Sequence, residues 1–118
     1  MTAYHSSEAQ EQVAIIQYCD LKRIPIFHIA NGGSRNTIEA VNLKRQGVRS
    51  GVPDLCIPLA RKGYHGLYIE LKVGKNKPSA NQLKWIETLN TNGYKAVVCY
   101  GFDQTIKTIE DYLKENNG

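Results

Sequence analysis

The sequence predicts an α/β fold with a mixed central sheet flanked by helices. Apolar runs of strand length, rich in β-branched and aromatic residues, alternate with segments of helical periodicity in the order α-β-(α)-β-β-α-β-α. Two of the strand runs are separated only by the short, glycine-bearing segment Arg61-Lys62-Gly63-Tyr64, which suits an antiparallel hairpin. With 118 residues, positions 1–118 read as one domain, with no room for a separate recognition module.

Helix one is expected over residues 7–21, where Ser7-Glu8-Ala9-Gln10 fits a capping box. Ala9, Val13, Ile16 and Cys19 recur at helical spacing and are its expected apolar face. Residues 24–30 read as the first strand, opened by Pro25, and Asn31-Gly32-Gly33-Ser34 as a turn. Asn36-Thr37-Ile38-Glu39 is a second capping signature, leading a short helix that Gly47 closes. Residues 54–59 and 65–71 form the hairpin strands, and Pro53 fits the first strand position, where its missing N–H costs little. After a basic loop over residues 74–78, Ser79 caps a helix through Leu89 that ends at Asn92-Gly93. Residues 95–100 read as a buried strand, and Asp103 starts a last amphipathic helix ending near Glu115.

The hairpin brings chemistry together. A reversal near Lys62 and Gly63 sets Asp54 opposite Glu70, sixteen residues later in the chain. Glu70 and Lys72 lie two apart on a strand and so share one face. Two carboxylates and an ammonium therefore converge on one spot.

Charge is unevenly distributed. The net charge is +4, but residues 22–77 hold eleven Lys or Arg and three acids, a balance of +8, and the remainder sums to −4. Two of those three acids are Asp54 and Glu70. A polyanion is the natural partner of such a stretch, because phosphate neutralisation supplies most non-specific nucleic-acid affinity.

Other features point away from alternative classes. Cys19, Cys56 and Cys99 have no CxxC spacing and sit among apolar neighbours, which favours reduced, buried thiols over disulfides or zinc. His5, His28 and His65 form no HxH or HxxxH pattern, and His28 reads as a satisfied strand residue rather than a metal ligand. Trp85 is expected in the core or a subunit interface. No apolar run approaches the ~20 residues of a membrane span, and the N-terminus lacks a signal-like apolar region. A cytoplasmic protein is expected.

The residues also resemble a known family. Glu8, Asn31-Gly32-Gly33, Leu43-Lys44, Gly47-Val48, Gly51-Val52-Pro53-Asp54-Leu55, Gly66 to Lys72, Gln82 with Trp85, and Gly93-Tyr94 are similar to a stand-alone VRR-NUC domain. That family is the virus-type replication-repair branch of the PD-(D/E)xK superfamily, with a restriction-endonuclease-like αβββαβ core. The likeness runs from Glu8 to about Gly101. It implies an Mg²⁺- or Mn²⁺-dependent endodeoxyribonuclease with no small-molecule cofactor. Asp54 and Glu70 would hold the metal, with the Leu71 backbone carbonyl and with Glu8, directly or through water. Glu11, one turn on, is the competing helix-one acid. Lys72 would orient or help deprotonate the attacking water, and Gln82 would position water or phosphate. Arg35, Lys44, Arg49, Tyr64, Lys75 and Lys77 are candidate nucleic-acid contacts. The resemblance further implies a homodimer acting on branched DNA such as Holliday junctions, in a phage or prophage setting. The alternatives are a same-site nuclease with another target (nicking, flap or single-strand cutting) and a non-catalytic DNA-binding or assembly module.

Overall fold

The structure, a computed structural model, describes residues 7–31 and 36–114. Its elements run α1 (Glu8–Leu21), β1 (Phe27–His28), α2 (Thr37–Arg45), β2 (Leu55–Ile57), β3 (Leu67–Lys72), α3 (Ala80–Thr91), β4 (Lys95–Tyr100) and α4 (Gly101–Leu113). The strands form one sheet in the order β1-β2-β3-β4. Its first two pairings are antiparallel and β3 runs parallel to β4, so the sheet is mixed, as expected. The parallel pair follows from α3, whose crossover returns the chain to the starting end of β3.

The hairpin forms in the expected register. Leu55 pairs with Ile69 and Ile57 with Leu67, which carries Asp54 to the level of Glu70. At its tip an isolated bridge joins Arg61 to Tyr64 across Lys62 (φ 53°) and Gly63 (φ 86°). Two left-handed central residues give the turn whose twist matches that of the flanking strands.

Strand alternation then sorts the sheet into two faces. Leu67, Ile69 and Leu71 of β3, with Leu55, Ile57 and Cys99, are buried on one face against Ile15 and Cys19 of α1 and Ile106, Ile109 and Tyr112 of α4. Tyr68, Glu70 and Lys72 project from the other face, where α3 lies. The three cysteines are free and buried, as expected.

Three expectations need correction. Only Phe27 and His28 of residues 24–30 pair as strand, opposite Cys56 and Leu55 of β2. On α1, Cys19 is buried and Ile16 packs against the core as expected, joined by Ile15, while Ala9 and Val13 face solvent. The inward stripe runs through Glu8, Glu11, Ile15 and Cys19, so two half-buried acids occupy places that an apolar-only search passes over. Finally, α4 starts at Gly101 rather than Asp103, with Tyr100 as its N-cap directly at the end of β4.

Candidate active site

Asp54 ends a segment that passes hard against α3. Gly51 is buried with φ +92°, and a Cβ there would meet the Asn81 backbone carbon at 2.8 Å. Only glycine allows both the backbone angle and the close approach. Asp54 is 8% exposed, and its Oδ2 accepts the Leu71 N–H at 2.8 Å. Its carbonyl accepts the Ile29 N–H at 2.8 Å and lies 2.9 Å from His28 Nδ1. The aspartate is thus held by two neighbouring strands.

Glu70 is 1% exposed. Its Oε2 accepts from Gln82 Nε2 at 3.1 Å and lies 3.7 Å from Lys72 Nζ. Its Oε1 is buried and has no hydrogen-bond partner among the described residues. Burial, first, and then the adjacent Asp54 carboxylate raise the Glu70 pKa well above the ordinary carboxylate range, outweighing the opposing pull of Lys72.

Gln82 is placed by its own helix. Ser79 Oγ accepts the Gln82 N–H at 3.2 Å, and Gln82 Oε1 accepts the Ser79 N–H at 2.8 Å. This reciprocal cap satisfies two open donors at the start of α3 and turns the amide NH₂ toward Glu70.

The two helix-one acids part ways. Glu11 Oε1 accepts the Phe102 N–H at 3.3 Å, at the beginning of α4. Glu8 instead feels Asp54 and Lys72: its pKa is raised by partial burial first and by Asp54 next, with Lys72 lowering it. Glu8 faces the carboxylate pair, and Glu11 is committed elsewhere.

Among the described residues no group of three or more His, Cys, Asp or Glu side chains is gathered as a metal site. The donor set that fits a cation is narrower: Asp54 and Glu70, the latter with a buried oxygen lacking any donor, and the main chain of Leu71 beside them. All-oxygen donors suit a hard divalent ion.

The candidate nucleic-acid contacts divide. Arg35 lies outside the described residues. Lys44 and Arg49 come together at the end of α2, where Arg49 Nη1 donates to the Lys44 carbonyl at 2.9 Å. Lys75 and Lys77 are exposed on the loop leaving β3 just after Lys72. Tyr64 is not brought to the site. It sits at the hairpin tip, 6.3 Å from the Tyr112 ring and with Lys95 Nζ 5.8 Å from its own ring centroid. Six residues of extended chain put it roughly 20 Å from Glu70, because the reversal lies at the opposite end of β3 from the carboxylate.

Sequence reasoning missed the part of His28 in holding the Asp54 main chain, which depends on the β1–β2 pairing and has no local signal. It also missed Lys84, which lines a cavity with Lys44, Arg49 and Trp85. Trp85 itself is half-buried and lies outside the core cluster.

A mixed four-stranded sheet that sets a buried carboxylate pair beside a lysine defines a class, and comparison with known proteins defines the family. The model of the VRR-NUC domain matches residues 4–103. The chain belongs to the VRR-NUC domain family, a family of nucleases. It is similar to a solved "VRR_NUC domain protein", with 34% identity over 94% of this chain and 91% of that one, at a TM-score of 0.80. A second solved structure, a "VRR_NUC domain", shares the fold at 24% identity and TM-score 0.63, covering 92% of this chain and 99% of that one. No curated protein matches the chain.

Proposed function

We propose that the protein is a metal-dependent, structure-selective DNA endonuclease of the PD-(D/E)xK type, acting as a homodimer on branched DNA such as four-way junctions. The observation that carries this reading is the buried Asp54–Glu70 pair with an unpartnered Glu70 oxygen and Lys72 3.7 Å away. Two adjacent buried carboxylates are costly unless a cation compensates them. Asp54, Glu70 and the Leu71 carbonyl would hold Mg²⁺ or Mn²⁺, with Glu8 contributing directly or through water. The bound ion supplies positive charge that lowers the pKa of water and offsets charge on the phosphate.

The chain's own residues do the rest. Lys72 adds a second positive charge, orients or helps deprotonate the attacking water, and balances phosphate charge as it builds. Gln82 fixes the Glu70 rotamer by donating to Oε2. Lys44, Arg49, Lys75 and Lys77 hold phosphates away from the scissile bond. Cleavage leaves 5′-phosphate and 3′-hydroxyl ends. A homodimer would present two such sites to a two-fold junction, which suits a domain of this size working in the cytoplasm of a phage-infected host.

The test is cleavage of a synthetic four-way junction beside duplex, flap and single-stranded controls, with Mg²⁺ or Mn²⁺. Paired symmetric nicks on the junction, lost in Asp54→Ala and Lys72→Ala, are expected. Preferential cutting of flap or single-stranded DNA would replace the junction with another target. Binding without metal-dependent cutting of any substrate would leave a DNA-binding module.

A further inference from the structure

We infer that the cavity between α2 and α3 receives one unpaired nucleotide of the bound DNA strand, its base stacked on Trp85 and its phosphates held by Lys44, Arg49 and Lys84. This rests on the nuclease reading and deepens it, by naming what lies beside the scissile phosphate.

The cavity has a volume of about 410 Å³, within the ~300–1,000 Å³ of small-ligand sites. Its wall combines one indole, three cationic side chains and the polar Ser50, Asn81 and Thr88, with no carboxylate. Among the described residues the ion pairs are Lys72–Glu70 and Lys107–Asp111, so the charges of Lys44, Arg49 and Lys84 are not matched by an acid. Arg49 is held in place by the Lys44 carbonyl. Three uncompensated cations around one cavity call for an anion.

Trp85 makes that anion a nucleotide rather than a bare phosphate. Its ring is half-buried against the cavity, and among the described residues no aromatic ring or hydrogen bond engages it. A half-buried tryptophan outside the core cluster offers an indole face on which a base can stack. Indole with surrounding Lys and Arg is the chemistry by which single strands are bound, since every base has a π-face. Bases inside a duplex have both faces covered, so the nucleotide must be unpaired.

Placement fits as well. Trp85 is three residues beyond Gln82 on α3, about 4.5 Å along the axis, and Ser50 is four residues before Asp54. The cavity therefore lies on the helix that delivers Gln82 to Glu70, beside the segment that leads into Asp54. Unstacking is least costly where pairing is already broken, as at a branch point, so the pocket would favour cutting there.

Trp85 is the sole tryptophan of the chain, so its emission reports on this site directly. The experiment titrates full-length Asp54→Ala protein, without divalent metal, with oligo-dT and with a duplex of equal length. Saturable quenching by oligo-dT, and much weaker quenching by duplex, is expected. Trp85→Ala should weaken oligo-dT binding, followed by anisotropy, by roughly tenfold, with Trp85→Phe restoring most of it. Lys84→Ala should lower the salt slope of binding by about 1. Absence of quenching while wild-type protein still cuts DNA overturns the pocket and leaves the nuclease. Equal quenching by duplex overturns the unpaired nucleotide. Quenching by protein concentration alone, without DNA, would assign the cavity to a second copy of the chain and overturn it too. Quenching by oligo-dT in a protein that cuts nothing supports the pocket and sinks the catalytic reading.

Discussion

At the scale of single residues, Glu70 sets the energetics of the site. Its pKa is raised from 4.5 to about 8, by burial first and by Asp54 second. The folded protein therefore holds this proton more tightly than the unfolded chain does. The associated stability is fully present below pH ~4.5 and is lost as pH rises through the raised value. Metal-free protein should melt several degrees lower at pH 8.5 than at pH 5.5, and Glu70→Gln should flatten that dependence. A melting temperature that rises over this interval would contradict the assignment. Millimolar Mn²⁺ at pH 8 should restore the lost degrees in wild type and not in Asp54→Ala, since binding to the folded state alone stabilises it. The crowding of acids explains why Lys72 does not simply neutralise its neighbour: one ammonium serves both Glu70 and Glu8, and each of these also feels Asp54.

At the scale of elements, α3 couples folding to the site through one residue. Gln82 closes the capping box with Ser79 by its oxygen and binds Glu70 by its nitrogen. Ser79→Ala removes the acceptor of the Gln82 main-chain N–H and should cost about 1 kcal/mol of stability, while cleavage is largely retained, because the Ser79 N–H that holds the Gln82 side chain belongs to the main chain. Gln82→Glu keeps a capping partner but replaces the donor with a third carboxylate beside Glu70. Its stability at pH 6 should stay close to wild type while the cleavage rate falls by about tenfold or more. A Gln82→Glu enzyme as fast as wild type would show that the donor is dispensable. Gly51→Ala forces a side chain into Asn81 at a left-handed angle. It should destabilise by about 1–3 kcal/mol, read by urea unfolding, and displace Asp54 along with it. Helix caps of this kind were legible in the sequence because their partners are three residues apart. The inward face of α1 was not: it carries Glu8 and Glu11 at the end where the sheet is polar, and periodicity of apolar residues alone pointed to Ala9 and Val13.

At the scale of the whole molecule, the cations divide between the two ends of the sheet. Lys75 and Lys77 leave β3 at the end that carries the carboxylates. Arg61 and Lys62 sit at the hairpin tip, where they donate to the carbonyls of Ala60 and Asp111. DNA affinity should fall steeply with salt, and Lys75→Ala and Lys77→Ala should each reduce the log–log slope by about 1. Tyr64→Ala, at the far end of β3, should leave that slope unchanged. A loss of slope in Tyr64→Ala, with none in the two lysine variants, would relocate the DNA path to the opposite end of the sheet.

Whatever depends on neighbours along the chain was already specified by the amino-acid order. Strand alternation put Glu70 and Lys72 on one face, the Lys62-Gly63 reversal set the register with Asp54, and Ser79 and Asn36 announced their helices. Whatever depends on separate segments meeting was decided by tertiary packing. The extent of β1 depends on its pairing with β2, distant in the chain. The engagement of Glu11 by the Phe102 N–H is set by where α4 begins, and the contact of His28 with the Asp54 carbonyl by the sheet edge. The cavity under Trp85 exists only because residues 44–50 lie alongside α3. Local order is written in short-range hydrogen bonds and side-chain period; the site's outer ring is written in long-range packing, which no window of sequence contains.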